Sequence, residues 1–401
     1  MTPESNEQIE TAKDSAAVVT ELAASDDPRA VSETLREQPV VRIGDMFTLV
    51  TRRKDVEASL RNPAVFSSNS DAVKLGNVRP LIPLQIDPPK HVKYRRVLDP
   101  MFAPREVAKL EPEVVTIVNS LIDEFSSKGT CDFHERVAVP LPCTVFLRLM
   151  GLPYSELERF LAMKDGIVRP PGETLESQAP VRDETAREIY AYFQEVIDER
   201  RSSPGDDLIT RITNFELDGE RLTDDEVLDI CFLFIIAGLD TVTDSLDCIF
   251  AHLAQNPADR QEIVEDPSVI PSAVEELLRW ENPVPAVARV ALKDAEIEGC
   301  PIHAGEQVMI VLASANTDPA HDPGLTNVDL RRNPNPHLAF GGGVHRCLGS
   351  HLARLELRVA LREFHLRIPE YSLAPGTHLK YTTGLRSLHE LPLVFSAVEN
   401  A

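Results

Sequence analysis

The sequence predicts a mainly α-helical protein, and three helical patterns support that prediction. The longest begins at Thr223, a helix N-cap whose capping-box partner is Glu226, and no proline interrupts the pattern that follows. It predicts one helix from Asp224 to Gln255, about 32 residues or about 48 Å long. A second pattern covers Ala273–Trp280, and a third follows a glycine-rich loop near the C-terminus.

Two shorter elements are predicted elsewhere in the chain. A helix starts after the pair Pro88-Pro89, where proline suits the first helical turn. On that helix His91 and Arg95 are four residues apart, so their side chains share a face. Further on, a strand is predicted to start near Arg289, after the turn-forming sequence Glu-Asn-Pro.

The bulk composition is that of a globular protein. The 401 residues are 43% hydrophobic and 26% charged, and the net charge of −23 argues against a nucleic-acid partner. The six cysteines are scattered, which is typical of reduced thiols. The longest apolar run, Cys231–Leu239, is too short to cross a bilayer. We therefore expect a soluble, cytoplasmic, monomeric protein without membrane contact, with a polar tail over residues 1–34 and a single domain over residues 35–401.

The centre of the long helix has an unusual composition. It is apolar on all sides around residues 231–236, which predicts complete burial, but Ala237-Gly238-Leu239-Asp240-Thr241 follows directly. Gly238 costs helix stability, and burial of the Asp240 carboxylate is unfavourable. One interpretation is a helix kink with the Thr241 hydroxyl bonded back to a carbonyl. The other is a groove for a ligand, in which the hydroxyl and the carboxylate deliver protons.

Residues 340–349, Phe-Gly-Gly-Gly-Val-His-Arg-Cys-Leu-Gly, present one cysteine at the start of a predicted helix. A helix N-terminus stabilises a thiolate, and glycines allow a flat ligand to approach the backbone. Cys347 could be a buried apolar residue or a nucleophile assisted by His345. A zinc site would need further ligands nearby, and no second cysteine is close. A fourth possibility is an axial ligand to haem iron.

The pattern Phe-x-x-Gly-x-His-x-Cys-x-Gly resembles the haem-binding signature of the cytochrome P-450 family, and all five residues are present. The segment around Asp240 is similar to the family's oxygen-binding motif. The resemblance implies a mainly α (α+β) fold, triangular in outline with small β-sheets, and haem b between the long helix and the cysteine loop. It implies that Cys347 is the metal ligand, that Thr241 stabilises activated dioxygen and that Asp240 relays protons. The further cofactor contacts that it implies are Ala237, Thr241, Phe340, Gly341 and Gly349.

The resemblance also assigns partners to the two haem propionates, which need cationic or hydrogen-bonding groups. These are His91, Arg95, Arg289 and His345. Glu276 and Arg279 resemble the family's structural Glu-x-x-Arg pair. The family usually adds an arginine from the segment before the haem loop, but alignment places Asn327 there, which leaves the third partner open.

Substrate contacts in the family come from several separate segments. In this chain they correspond to Val73–Leu84, Ile167–Pro171, residues 233–241, residues 284–287 and residues 385–388. The individual residues expected to contact the substrate are Leu233, Ala237, Val284, Val287 and Leu385. Their aliphatic character favours a bulky lipophilic small molecule such as a terpenoid, a steroid or a branched fatty chain.

No flavin or nucleotide fingerprint is present, so we expect electrons from a separate ferredoxin and an NAD(P)H-dependent reductase. Arg346 flanks the cysteine, and Arg354, Arg358 and Arg362 recur at four-residue spacing. They form either a solvated charged face or a basic docking surface for an acidic ferredoxin.

The resemblance thus implies a haem-thiolate monooxygenase that uses dioxygen as cosubstrate to insert one oxygen atom into a C–H bond. Two alternatives remain at this point, a peroxide-driven peroxygenase and a non-catalytic haem sensor or carrier. The Asp240-Thr241 pair argues against the peroxygenase, because a peroxide user needs no relay to protonate dioxygen.

Overall fold

A computed structural model describes residues 22–43, 47–69, 71–72, 79–172, 174–217 and 219–398. Helices dominate these residues, as the sequence predicts. The predicted substrate segment Val73–Leu84 is described only from residue 79 onward, and residues 1–21 of the predicted tail also lie outside the described part. The α-helices of the described residues are α1 (Pro28–Arg36), α2 (Arg53–Leu60), α3 (Lys90–Leu98), α4 (Pro104–Val107), α5 (Glu111–Asp123), α6 (Pro140–Leu149), α7 (Leu157–Val168), α8 (Leu175–Ser202), α9 (Leu208–Asn214), α10 (Asp224–Gln255), α11 (Pro257–Glu265), α12 (Ile270–Glu281), α13 (Leu312–Asn316) and α14 (Ser350–Arg367).

The strands form small sheets at the edge of the helical body. In the larger sheet the order is β1-β2-β10-β7-β3, antiparallel except for the parallel pair of β2 and β10. A second antiparallel sheet has the order β11-β12-β4, and β5–β6 and β8–β9 are hairpins. The strands are β1 (Val40–Ile43), β2 (Phe47–Val50), β3 (Phe66–Ser67), β4 (Thr130–Asp132), β5 (Glu216–Leu217), β6 (Glu220–Arg221), β7 (Ala286–Ala291), β8 (Ala295–Ile297), β9 (Cys300–Ile302), β10 (Gln307–Val311), β11 (Tyr371–Leu373) and β12 (Pro392–Phe395).

The long helix α10 has the bounds that the sequence predicts. At its N-terminus the Glu226 backbone N–H donates to the Thr223 hydroxyl at 3.2 Å, and the Thr223 N–H donates to the Glu226 carboxylate at 2.8 Å. Its first half, up to Leu239, belongs to one hydrophobic cluster, and its second half, from Val242, belongs to another. The helix therefore joins both cores, and the predicted oxygen motif lies at the boundary between them.

The folded region begins earlier than the predicted tail boundary at residue 34. Leu22 and Leu35 are buried in a cluster that also contains Ile43 and Leu49. The Arg36 guanidinium donates to the Ser314 carbonyl at 2.8 Å, which fastens α1 to α13. Residues 22–34 are therefore not a free tail, because apolar side chains within and next to this polar segment pack against the sheet.

A buried ion pair fixes α12 to the segment before the cysteine loop. Arg279 and Glu276 are fully buried and lie 2.7 Å apart, and Arg332 contacts the same carboxylate at 3.0 Å. Arg332 is thus the third partner that the sequence leaves open. Asn327 contributes its backbone carbonyl, which accepts from Arg279 at 2.9 Å. No helix among the described residues has the length and apolarity needed to cross a membrane.

Candidate active site

The cysteine loop is shaped by glycine and by one backbone hydrogen bond. Gly343 has φ +66°, and a Cβ at that position would lie 2.1 Å from the Leu60 carbonyl oxygen, so only glycine fits. The Cys347 N–H donates to the Phe340 carbonyl at 2.9 Å, which closes the loop. Gly341 also has a positive φ, of +67°, and Gly349 precedes the first turn of α14. The sulfur is therefore presented on a rigid turn just before a helix.

Cys347 is exposed to solvent, although many protein atoms surround it. Burial raises the pKa of its thiol above the ordinary value, and this outweighs the Gly349 N–H and the nearby Arg95, Arg346 and Arg354. The Gly349 N–H at the start of the helix acts in the direction that the sequence predicts, but in the polypeptide alone burial outweighs it. A coordinated metal ion would hold the sulfur as thiolate.

Phe340 links the loop to α12 and α14. The Arg354 guanidinium lies over the Phe340 ring at 4.3 Å and forms an ion pair with Glu275 at 2.6 Å. His337 contacts the same carboxylate at 2.9 Å. Burial opposes the charge on Glu275, but the hydrogen bonds from His337 and Arg354 outweigh it and lower the pKa of Glu275 to about 2. Arg354 is therefore a structural residue behind the loop and is not free to bind a partner, contrary to one interpretation of the arginine spacing.

One short stretch of α10 is open although the helix around it is buried. Ala237 is exposed and Thr241 is half-buried, while Leu239 and Asp240 between them are buried. The Thr241 hydroxyl donates to the Ala237 carbonyl at 3.1 Å. This is the back-bonded hydroxyl of the structural interpretation, and it occurs on the accessible turn of the helix. The hydrogen bond of the structural interpretation is therefore present, and the proton-delivering groove stays a prediction.

Asp240 lies on the other side of the helix. Its side chain is 2% exposed, and Oδ1 contacts Lys164 Nζ at 2.8 Å and Arg169 Nη1 at 3.2 Å. Oδ2 is buried without a hydrogen-bond partner among the described residues. Burial lowers the pKa of Lys164, but Asp240 and Asp165 outweigh it, so the net shift is upward. The carboxylate is therefore held by cations at the end of α7.

Cationic and donor groups gather beside the cysteine loop. The rings of His91 and His345 have centroids 4.5 Å apart. The Arg289 guanidinium is near enough for its positive charge to disfavour protonation of His345. Asp87 is the acidic neighbour, at 3.2 Å from His345 Nε2. Burial, His91 and Arg289 lower the pKa of His345 to about 4, and burial lowers that of Arg289 to about 10 despite Asp87.

This cluster fits an anionic group. Nε2 of His91 is buried without a partner among the described residues, and Arg289, only 7% exposed, hydrogen-bonds to the Ala288 carbonyl. Buried donors of this kind need an acceptor. The two carboxylates of haem would supply acceptors here. Arg95 differs, because it already contacts Asp99 at 2.7 Å and the Arg346 carbonyl at 2.9 Å.

The predicted substrate residues differ in accessibility. Leu233 is 7% exposed and packs in the first hydrophobic cluster, whereas Ala237 on the next turn is exposed. Val284, Val287 and Leu385 are half-buried. Leu385 is close in sequence to Ser387, whose hydroxyl accepts from Arg169 at 3.3 Å. The C-terminal loop therefore meets the end of α7 near α10, a contact that the sequence did not indicate.

Comparison with known proteins identifies the family. A family model for cytochrome P-450 matches residues 167–375. The chain is 34% identical over 380 residues to mycinamicin IV hydroxylase/epoxidase of Micromonospora griseorubida, covering 90% of this chain and 94% of that protein. It is 33% identical over 390 residues to steroid C26-monooxygenase of Mycobacterium tuberculosis, covering 93% and 95%.

A solved structure agrees with these relatives. CYP109E1 of Bacillus megaterium in complex with testosterone superposes with a TM-score of 0.85 at 29% identity, covering 92% of this chain and 98% of that one. The helical fold with small sheets is therefore that of the relatives. The chain belongs to the cytochrome P-450 family and is a haem-binding monooxygenase that uses dioxygen.

Proposed function

We propose that this monooxygenase oxidises a C–H bond in a bulky, lipophilic, mainly aliphatic small molecule, with electrons from a separate ferredoxin. One observation carries the proposal for the site. The sulfur of Cys347 is accessible, and its loop also carries His345, which lies beside His91. Nε2 of His91 is buried without a hydrogen-bond partner among the described residues, and the buried Arg289 guanidinium lies near His345. A flat cofactor with a central metal and carboxylates at one edge satisfies both features.

In this proposal Cys347 is the metal ligand, and His91, Arg289 and His345 receive the carboxylates. Phe340 shields the sulfur, and Gly341 and Gly349 allow close approach of the backbone. When bound, haem supplies the oxygen-activating chemistry. Arg95 has a weaker case, because its hydrogen bonds to Asp99 and to the loop backbone already occupy it.

Thr241 and Asp240 divide the handling of protons between two sides of α10. The Thr241 hydroxyl lies on the open face and would be free to turn from the Ala237 carbonyl and donate a hydrogen bond on that side of the helix. Asp240 holds its negative charge against Lys164 and Arg169. To deliver a proton, the Asp240 side chain must break its contact with Lys164 or Arg169, because it is buried on the side of α10 opposite the open face. We therefore propose that the Thr241 hydroxyl makes the hydrogen bond at the reaction site and that the Asp240 carboxyl supplies the proton.

The aliphatic side chains near the groove support the choice of substrate class. Ala237, Val284, Val287 and Leu385 are accessible or half-buried and carry no polar group. One relative is named as a steroid monooxygenase, and one structural neighbour was crystallised with testosterone. A rigid polycyclic or macrocyclic aliphatic compound suits such a surface, because shape and apolar contact then determine binding.

Replacement of Cys347 by Ala tests the ligand assignment. The reduced carbonyl complex of the parent protein should show the red-shifted Soret band typical of thiolate ligation, and the variant should lack it. Cys300→Ala is the matched control, because Cys300 is also not fully buried and should be replaceable without loss of the band. If Cys347→Ala retained the band, another residue would be the ligand.

A spectral titration tests the substrate class. Testosterone, a macrolide and a flat polyaromatic hydrocarbon are added separately to the oxidised protein, and the spin-state shift of the visible spectrum is followed. We expect a saturable shift with the steroid or the macrolide and none with the polyaromatic compound. The reverse order would contradict the proposed class and leave the family assignment unchanged.

A further inference from the structure

Three acidic residues follow one face of α10 from the active site toward the protein surface. Asp240, Asp244 and Asp247 are spaced by four and three residues, which places them on the same side of the helix. They are 2%, 1% and 0% exposed. Acidic side chains are rarely buried at this level unless they are paired.

The hydrogen bonds of these carboxyl groups are incomplete. Oδ2 of Asp240, both oxygens of Asp244 and Oδ1 of Asp247 are buried without a hydrogen-bond partner among the described residues. Arg169 approaches Asp244 only to 3.8 Å, and Ser387 lies close enough to lower the pKa of Asp244 without a hydrogen bond of normal geometry. Buried oxygens of this kind normally have a protein partner or an ordered water molecule. A row of four such oxygens along one helix face marks a polar path inside an otherwise apolar core.

Too few positive charges face this path for all the acids to be ionised. Lys164 and Arg169 face Asp240, Asp244 and the half-exposed Asp165. Asp132 lies near Asp247, and Arg386 lies farther along, where it contacts Glu281 at 3.4 Å. Since charge must nearly balance in a buried site, some of the carboxyl groups hold a proton.

The far end of the path reaches solvent through a histidine. His134 Nδ1 lies 2.7 Å from Asp247 Oδ2, and the His134 side chain is 20% exposed. His134 starts the π-helical segment His134–Ala138, directly after β4. An imidazole at this position can take a proton from water on one side and give one to Asp247 on the other.

We propose that His134, Asp247 and Asp244 form a proton path that resupplies Asp240 from the surface. The proposal rests on the proposed role of Asp240 as proton donor. A proton from solvent enters at His134, and the imidazole passes its Nδ1 proton to Asp247 Oδ2. Asp247 passes a proton from Oδ1 to Asp244, and Asp244 passes one to Asp240 Oδ2, directly or through a bound water molecule. One proton enters and one leaves, and no electron moves.

The pKa shifts of the three groups support this order of proton transfer. Burial raises the pKa of Asp244 to about 7, and Ser387 and Arg169 offset only part of the effect. Burial likewise raises the pKa of Asp247 to about 6 despite His134. Burial opposes the charge on His134, but Asp247 outweighs it and raises the histidine pKa. Groups that titrate near the working pH exchange protons most readily.

An infrared titration of the haem-loaded protein tests whether the path holds protons. The parent should show carboxylic-acid C=O bands that disappear as the pH rises through neutrality. Asp244→Asn should remove one band and Asp247→Asn another. Asp229→Asn is the control, because Asp229 is a buried acid of the same helix but contacts Arg79 and Tyr190 instead. That control should leave both bands in place. If neither band exists in the parent, the acids are ionised and the path is wrong.

Turnover in H₂O and D₂O tests whether the path carries protons. A ferredoxin, its reductase and NADH supply electrons, and a compound that gives a spin-state shift serves as substrate. Asp244→Asn, Asp247→Asn and His134→Gln should each slow product formation about tenfold and increase the solvent isotope effect, with substrate binding retained. Asp244→Glu should restore most of the rate, which a purely structural defect would not predict.

The outcomes separate this proposal from the one on which it rests. If Asp240→Asn slows turnover but the other three variants match the parent in rate and isotope effect, protons reach Asp240 by another way and the path is wrong. If Asp240→Asn also matches the parent, the proposed role of Asp240 fails as well. Should a buried variant fail to fold, His134→Gln at the surface end still tests the path, because a rate and an isotope effect equal to those of the parent would rule the path out.

Discussion

At the scale of single residues, Thr241 combines a structural contact with an accessible position. Its hydroxyl is bonded to the Ala237 carbonyl at 3.1 Å, yet the turn that carries it is the open part of α10. Two positions along, Thr243 makes a similar back-bond to the Leu239 carbonyl at 2.9 Å but is buried. The two hydroxyls therefore make the same kind of hydrogen bond within the helix but differ in exposure to solvent.

This difference makes a direct test of Thr241 possible. Thr241→Ala should retain haem and the substrate-induced spin shift, because the methyl group fits where the hydroxyl was. The yield of product per NADH should fall several-fold, with hydrogen peroxide released instead, since the groove loses its hydroxyl donor. Product, NADH and peroxide are measured together.

Thr243→Ala is the matched control for the Thr241 variant. It removes a buried hydrogen bond, also made to the Ala138 carbonyl, and should lower the free energy of unfolding by about 1 kcal/mol. Its yield of product per NADH should remain that of the parent. Equal yields in both variants and the parent would show that Thr241 is only a helix hydroxyl.

At the scale of elements, local sequence signals predict some features well and others not at all. The bounds of α10 follow from its capping box and from the absence of proline, and both act within a few residues. Arg332 could not be assigned, because its partner Glu276 is distant in sequence and Asn327 acts through a backbone carbonyl that any residue could supply. The pairing of Arg354 with Glu275 could not be predicted either, because these two residues are also distant in sequence.

The buried ion pair of α12 gives a prediction about stability. Arg332→Ala removes a contact to Glu276 at 3.0 Å and a hydrogen bond to the Gly324 carbonyl at 2.8 Å. Arg279 still balances the carboxylate, so we expect a loss of about 1–3 kcal/mol in the free energy of unfolding. Arg331→Ala, which removes two exposed ion pairs, to Glu262 and Asp266, should cost much less. Urea unfolding followed by circular dichroism measures both, and equal losses would contradict the role of Arg332.

The C-terminal end of α10 is held by a pH-dependent contact. His252 lies 2.7 Å from Asp259 and 3.3 Å from Glu281. Burial alone would lower its pKa, but the two carboxylates raise it to about 9. A folded-state pKa above the unfolded value stabilises the fold below about pH 6.5, and the contribution disappears as the pH rises through about 9.

His252→Gln should therefore destabilise the protein most at low pH. At pH 6 the loss in free energy of unfolding should reach about 3 kcal/mol, from a difference of roughly 2.5 pKa units, and above pH 9 it should nearly vanish. His303→Gln, at an exposed histidine 3.8 Å from Asp294, should show no such trend. A loss that grew with pH would contradict the assigned charge state of His252.

At the scale of the whole molecule, the charge distribution limits where the proposed ferredoxin could dock. The net charge is −23, so an acidic partner is repelled by most of the surface. The structure narrows the predicted basic face, because Arg354 is paired with Glu275 and Arg362 contacts Glu111 and Glu363 at 2.9 Å each. Arg346 is exposed beside the cysteine loop, and its backbone carbonyl accepts from Arg95. Arg358 is half-buried, with Nε inaccessible to solvent. Arg346 is therefore the arginine of the predicted set best placed to contact the partner.

Arg346→Glu should weaken reduction by the ferredoxin at low salt. We expect the apparent dissociation constant of the partner to rise about tenfold, because a favourable charge contact becomes a repulsive one, while the substrate-induced spin shift stays unchanged. The difference from the parent should shrink as salt is added, since exposed charges are screened over about 10 Å at 0.1 M ionic strength.

Arg187→Glu makes the same charge change at an exposed arginine of α8 and should have little effect. If Arg346→Glu accepted electrons at the parent rate at low salt, the partner would dock elsewhere. The family assignment would stand, because it rests on the matches along the whole chain and on the Cys347 loop.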